Sequence, residues 1–298
     1  MTEQEIPADN PYPSQKVAVL DSEMAYLDSG KGRPIVLIHG NPTWSYIWRN
    51  VMPHLEHLGR CLAPDLMGMG NSGKMPGGGY RYGDHARYLD AWFDAVLPEG
   101  EIIFVLQDWG AALGFDWSRR NPERVAAICY MEAMVQPRKW KDLPEAYENR
   151  FRGFRTEDGL RQAMEANLFI ENVLPNGVAR GLTEAEMDAY RRPYISQEDR
   201  LPTLVWPREI PFDGDPADNH DRVQAYADWL AASTDLPKLF INTSDGHALI
   251  GRNREFCRAW PNQEEVTLKG KHYIQEDDPH GLGEAVAGWI GRKMASTP

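Results

Sequence analysis

Apolar residues in this chain fall into short unbroken runs, separated by longer stretches in which they recur every three or four positions. That alternation is the pattern of a parallel sheet with helices on its faces. Residues 17–20 and 24–27, divided by Asp21-Ser22-Glu23, predict an opening antiparallel hairpin. Further strands are expected at 34–39, 61–65, 102–106 and 125–131, with helices at 46–58, at 84–96 and from Ala111 to Asn121. From about Val135 to Asp213 the character changes to polar helical segments rich in Arg and Glu, with no convincing central strand. The simplest organisation is an α/β core over 1–134 and 214–298 with a helical cap inserted at 135–213. The second half of that insert ends in Trp206-Pro207-Arg208-Glu209-Ile210-Pro211, which reads as a proline-punctuated loop. Helices at 223–232, 253–260 and 280–293 and strands at 238–242 and 266–268 complete the pattern, without internal repeats or low-complexity tracts.

Candidate chemistry sits where strands end. Gln107-Asp108-Trp109-Gly110 joins the apolar run 102–106 directly to a helical stretch. A residue on so sharp a turn is exposed beside the free N–H groups of the helix start, so Asp108 is positioned as a nucleophile that would form an alkyl ester; a plain helix N-cap is the competing reading. Leu106 occupies the place where such turns usually carry glycine, and Gly110 is small on the far side. His39-Gly40-Asn41-Pro42 brings a glycine turn and an amide side chain to the same sheet edge, where open α/β sheets bind ligands. His272 follows the last predicted strand, the place of a general base that comes after the nucleophile and the acid in chain order. Glu132 and Asp245 both follow strands and could orient that histidine. Glu132 is preferred, because a carboxylate among Tyr130, Met131, Ala133 and Met134 needs a partner, whereas Asp245-Gly246 is explained as a turn; Asp245 is kept in reserve.

A formal net charge of −12 argues against nucleic acid or an anionic membrane as partner. No apolar run reaches membrane-spanning length, and the acidic start from Met1 to Pro7 lacks the order of a secretory signal, so a cytoplasmic location is expected. Cys61, Cys129 and Cys257 are odd in number and far apart, which suggests buried free thiols in place of a disulfide frame or metal site.

Taken together, His39-Gly40-Asn41-Pro42, Trp48-Arg49, Asp65-Leu66-Met67-Gly68-Met69-Gly70, Gln107-Asp108-Trp109-Gly110, Met131-Glu132 and His272-Tyr273-Ile274-Gln275-Glu276-Asp277 resemble the haloalkane dehalogenases, in the branch with an Asp-His-Glu triad. The resemblance spans nearly the whole chain. It implies an α/β-hydrolase fold with a helical cap, no cofactor and no metal. It also implies Asp108 as nucleophile, His272 as base, Glu132 as its partner, and Asn41 with Trp109 as the halide-binding pair. The chemistry agrees, since an indole N–H and an amide NH₂ can hold a soft leaving anion without neutralising the aspartate. Trp140, Phe151, Phe154, Phe169, Val173, Leu174 and Pro207 are expected to wall an apolar pocket, with Ala248 and Leu249 at its entrance. The expected partners are a small apolar halogenated substrate, halide and water, with the chain a monomer or weak homo-oligomer. An epoxide hydrolase would use cap tyrosines, for which Tyr147, Tyr190 and Tyr194 are available, and a luciferase-like oxygenase or a non-catalytic binding protein would share the fold.

Overall fold

The computed structural model describes residues 5–295; Met1 to Gln4 of the acidic opening segment lie outside them. Among the described residues an eight-stranded sheet runs in the order β1-β2-β4-β3-β5-β6-β7-β8. The strands are β1 (Ser14–Val19), β2 (Ser22–Ser29), β3 (Pro34–Ile38), β4 (Arg60–Pro64), β5 (Ile102–Gln107), β6 (Val125–Met131), β7 (Lys238–Thr243) and β8 (Gln263–Leu268). The predicted hairpin is present, and β2 is antiparallel to both of its neighbours. From β4 onward every pairing is parallel. All six residues of β5 are buried, as expected of a central strand covered on both faces. Because the chain goes from β3 to β4 on one side and then returns to place β5 on the other, the order switches at β3. The crevice beyond the carboxyl ends of β3 and β5 is therefore the ligand position of such a sheet.

Helices α1 (Tyr82–Val96) and α2 (Asp108–Arg120) flank the sheet. Between β6 and β7 come α3 (Glu145–Gly153), α4 (Glu157–Glu165), the single turn α5 (Leu174–Asn176), α6 (Glu184–Arg191), α7 (Leu201–Arg208) and α8 (Ala217–Ala232), which packs beside α2. Then follow α9 (Gly251–Arg258), the short α10 (Ile274–Asp277) and α11 (Pro279–Ala295). No helix among the described residues is long and apolar enough to cross a membrane, and all three cysteines are buried and unpaired.

Two predicted elements differ. The helix expected at 46–58 is instead two 3₁₀ segments, Ser45–Trp48 and Met52–His54. Pro53 has no N–H for a continuous α-helical ladder, and most of the bonds that form close over three residues, as from Val51 N–H to the Trp48 carbonyl at 2.9 Å. The segment read as a loop from Trp206 to Pro211 begins inside α7, so Pro207 is a helical residue. Its missing N–H leaves the Thr203 carbonyl, four residues back, without an intrahelical donor. That carbonyl accepts from the Asn41 side-chain amide at 2.9 Å, so a helix of the insert is tied to the end of β3.

The segment between β6 and β7 has its own small apolar cluster of Phe154, Ala163, Phe169 and Leu204. It is also joined to the core by buried charge. Arg49 lies against Glu276 of α10 and Glu186 of α6, and Arg180 reaches the same two carboxylates. The Tyr190 hydroxyl donates to Glu276 as well. Opposite charges in equal number, each with several hydrogen bonds, make such burial tolerable, whereas removing one member would leave the others uncompensated.

Close backbone approach fixes where α2 begins. A Cβ on Gly110 would fall inside 3.0 Å of the Ile38 and His39 carbonyl oxygens, whereas a Cβ on Gly291 in α11 would meet nothing within 4 Å. Gly110→Ala is expected to lower stability by about 1–3 kcal/mol through overpacking. Gly291→Ala should be neutral or add up to about 1 kcal/mol from helix propensity. Denaturant unfolding of the two variants beside the parent checks both signs.

Candidate active site

Strand β5 passes into α2 without an intervening loop. Gln107 is still extended, and Asp108 turns the chain with φ of 51°. A positive φ is unfavourable for a residue with a Cβ, so the surroundings must impose it. They do so by crowding: Gly40 leaves room for the Asp108 side chain where any Cβ would collide with it, and Gly110 lets α2 touch the end of β3. Leu106 is accommodated from the helix side, since a Cβ on Gly114 would lie 2.6 Å from a Leu106 methyl. The small residue required for close strand-to-helix packing sits on the helix in this chain. The N-cap reading of Asp108 fails: Gln107 is the cap residue, and the Asp108 carboxylate accepts from the Asn41 backbone N–H at 3.0 Å.

His272 stands between two carboxylates. Its Nδ1 is 3.0 Å from Glu132 Oε2, and its Nε2 is 3.5 Å from Asp108 Oδ1. Glu132 also has a positive φ, 44°, and receives the backbone N–H groups of His247, Ala248 and Leu249 at 2.6, 2.9 and 3.3 Å. Asp245, the reserve candidate, instead accepts from the Ser244 hydroxyl at 2.7 Å, and it is Glu132 that faces the histidine. Burial acts to raise the Glu132 pKa, but the hydrogen bond and charge of His272 and the backbone donors bring it down to about 2. Burial likewise opposes a charged His272, yet the hydrogen bonds and charges of Asp108 and Glu132 together lift it to about 9.

The site lies at the base of a cavity of about 380 Å³ lined by Asn41, Asp108, Trp109 and His272, with walls that include Phe151, Phe154, Phe169, Val173, Pro207 and Ala248. Trp109 is held by packing, its ring 4.7 Å from that of Trp206 and 5.9 Å from that of Tyr82. Trp206 in turn stacks on His85 at 4.2 Å, and burial pushes His85 down to about 3, so that ring is neutral. Asn41 is fixed at several points, with its side-chain amide on Thr203 and its carbonyl accepting from the Tyr273 hydroxyl at 3.0 Å. His39 is structural: its Nε2 accepts from the Leu66 N–H at 2.9 Å, and burial lowers its pKa to about 4.

Comparison with known proteins covers most of the chain. The family described as alpha/beta hydrolase fold matches residues 33–279. A haloalkane dehalogenase of Sphingobium indicum is 48% identical over 280 residues, covering 93% of this chain and 94% of that one. One from Mycolicibacterium smegmatis is 44% identical over 292 residues, covering 96% and 93%. The crystal structure of a haloalkane dehalogenase from Bradyrhizobium elkani superposes with a TM-score of 0.90 at 42% identity, covering 96% of this chain and 99% of that one. The chain belongs to the haloalkane dehalogenases. It is thus a hydrolase of the α/β-hydrolase fold.

Some expected wall residues of this dehalogenase lie elsewhere. Trp140 stacks on Phe212 at 3.9 Å, outside the cavity lining. Leu174 and Leu249 point into the core, since their neighbours Val173, Ala248 and Ile250 take the lining positions. Of the tyrosines weighed for epoxide chemistry, Tyr190 is engaged with Glu276 and Tyr194 with the Pro42 carbonyl at 3.0 Å, while Tyr147 lines the cavity. Sequence reasoning passed over Gln107, whose Nε2 is 3.2 Å from His272 Nε2, and Arg138, which lines the cavity. Gln107 had a usable signal, since it is the last residue of a buried strand and immediately precedes the turn.

The raised pKa of His272 has a thermodynamic consequence. A folded value of about 9 against an ordinary 6.5 stabilises the fold fully below pH 6.5 and is lost as pH rises through 9. The Tm advantage of the parent over His272→Phe should therefore shrink between pH 6.5 and 9.5, and a difference that stays flat over that range would contradict the assignment.

Proposed function

We propose that this dehalogenase hydrolyses haloalkanes to alcohol, halide and a proton through a covalent ester on Asp108. The observation that carries the reading is the His272 ring, set between Asp108 and Glu132 on the floor of a cavity that Asn41 and Trp109 also line. One carboxylate oxygen of Asp108 is engaged by the Asn41 N–H, and the other, on the His272 side, attacks the carbon bearing halogen. The carbon–halogen bond breaks, and the halide leaves with its electron pair toward the Trp109 indole N–H and the second hydrogen of the Asn41 amide. The first amide hydrogen is committed to Thr203, which keeps the second directed.

Alkylation neutralises Asp108. His272 then loses one of the two carboxylates that favoured its protonated form, so its pKa falls and it becomes a competent base at neutral pH. Neutral His272 takes a proton from water, and the resulting hydroxide attacks the ester carbonyl carbon. The oxyanion forms on the oxygen facing the Asn41 N–H and the free N–H of Trp109 at the start of α2. Collapse expels the alkoxide, which is protonated by His272, and the second proton of water is released. Glu132, kept anionic by its backbone donors, stabilises the imidazolium at each stage.

Residues 135–213 act in this reading as the cap that encloses the reaction and keeps bulk water from the ester. The buried, unpaired cysteines support a reducing, cytoplasmic setting. Epoxide opening is the weaker reading, because the donors gathered at Asp108 are an indole and an amide and most of the cap tyrosines are engaged elsewhere.

With 1-bromobutane or 1,2-dibromoethane, the parent should release halide and acid in equal amounts, while Asp108→Ala should release neither. His272→Phe should stall after the first step and show a mass increase of one alkyl group on the Asp108 peptide. Absence of halide across several haloalkanes with the parent, or an unmodified Asp108 peptide in the stalled variant, would overturn the mechanism.

A further inference from the structure

The cavity above Asp108 contains cationic side chains that the proposed reaction does not use. Arg138 lines it, and its one side-chain hydrogen bond among the described residues runs from Nη2 to the Ala248 carbonyl at 3.3 Å, near the limit for such a bond. Among the same residues it forms no ion pair, although a guanidinium presents five N–H donors in a planar fork. Arg49, another guanidinium held inside the protein, spends its donors on two carboxylates and the Pro7 carbonyl. The Arg138 backbone is fixed at this point of the wall, where its carbonyl accepts from the Asp213 N–H at 2.9 Å and it bridges to Phe212. Burial lowers its pKa from the ordinary arginine value, and the charges of Glu132 and Asp108 partly offset that. Even so, an arginine stays charged at any physiological pH.

Arg150 lines the same cavity and, among the described residues, has neither a side-chain hydrogen bond nor an ion pair. Arg252, also in the wall, is already paired with Asp142 at 2.8 Å. Asp108 is matched by His272, and Asp142 by Arg252. Glu132 stands on the other side of His272, so three acids (Asp108, Glu132 and Asp142) face four cations (His272, Arg252, Arg138 and Arg150), and the excess charge around the cavity is positive. The remaining wall is apolar, supplied by Phe151, Phe154, Phe169, Val173 and Pro207. An alkyl chain suits those rings, whereas a carboxylate suits the unfilled fork of Arg138. A halide alone would leave that fork unfilled once the alkyl product had gone.

We propose that this enzyme takes haloalkanes carrying a carboxylate at the end remote from the halogen, with Arg138 as the group that binds the carboxylate and Arg150 adding positive potential on the approach. The inference rests on the dehalogenase reading of the same cavity. The methylene chain between the two ends keeps the substrate's anion away from Asp108, so the preference should depend on chain length. Very short halocarboxylates would force the two negative charges together and should react poorly.

The test compares ω-bromocarboxylates of increasing length with 1-bromohexane and with the methyl ester of 6-bromohexanoate, using the parent, Arg138→Met and Arg138→Lys. In the parent, a carboxylate of intermediate length should have kcat/KM at least equal to that of its neutral ester. Arg138→Met should lower the ratio of kcat/KM for that carboxylate over 1-bromohexane by about tenfold or more, mainly through KM, as expected for loss of a charge-assisted hydrogen bond. Arg138→Lys should recover part of the ratio. No turnover of 1-bromohexane by the parent would sink the dehalogenase reading itself. Turnover of 1-bromohexane but of no carboxylate, or an equal fall for charged and neutral substrates in Arg138→Met, would overturn this proposal and leave the arginine as a counter-charge for the acids.

Discussion

The whole site hangs on a carboxylate held at a corner where the backbone would not otherwise place it. Asp108 adopts a positive φ because β5 has ended and α2 has already begun, and the two elements lie too close for a relaxed turn. Gly40, Gly110 and Gly114 make that closeness sterically possible, each at a contact where a side chain would collide. The same corner brings the Asn41 N–H onto Asp108, starts α2 at that residue and lines the cavity beside it with Trp109. Asn41, Asp108 and Trp109 are thus parts of one rigid junction between β3, β5 and α2, which is the preorganisation that the proposed charge-stabilising catalysis requires.

The electrostatics around that junction change as the reaction proceeds. In the resting site two carboxylates share one histidine and favour its charged form. Once one carboxylate becomes an ester, the balance tips toward the neutral ring. In the proposed reaction the first step therefore prepares the base for the second. Glu132 is the fixed term in this balance, since its cradle of three backbone N–H groups depends on the turn at 247–249 and not on the substrate.

Much of this was legible in the sequence because strand ends are. Asp108, Glu132 and Asn41 each lie just past an apolar run, which is the strongest local signal a chain carries, and His272 is placed by chain order after the last strand. The acid was readable from burial alone, since a glutamate among apolar neighbours must have a partner. What was not legible depended on contacts between distant segments. Pro207 looks like a helix breaker until the Thr203 carbonyl it strands is found bonded to Asn41, 162 residues away in sequence. Trp140 and Leu174 have the composition of cavity walls, but which face of a helix turns inward is decided by the neighbours it packs against. The 3₁₀ segments at 45–54 bury the same apolar positions that a helix would have buried, so periodicity could not separate the two.

The buried charges at Arg49, Arg180, Glu186 and Glu276 bear on how firmly the segment between β6 and β7 is held. Glu276 lies four residues beyond His272, while Glu186 and Arg180 belong to the segment that covers the cavity. Lifting that segment as a lid would pull apart the Arg49–Glu186 and Arg180–Glu276 pairs, the first of them fully buried. It would also drag on the loop that carries His272. The segment between β6 and β7 is therefore clamped to the core by charge that folding has already buried, which stiffens the protein around the cavity.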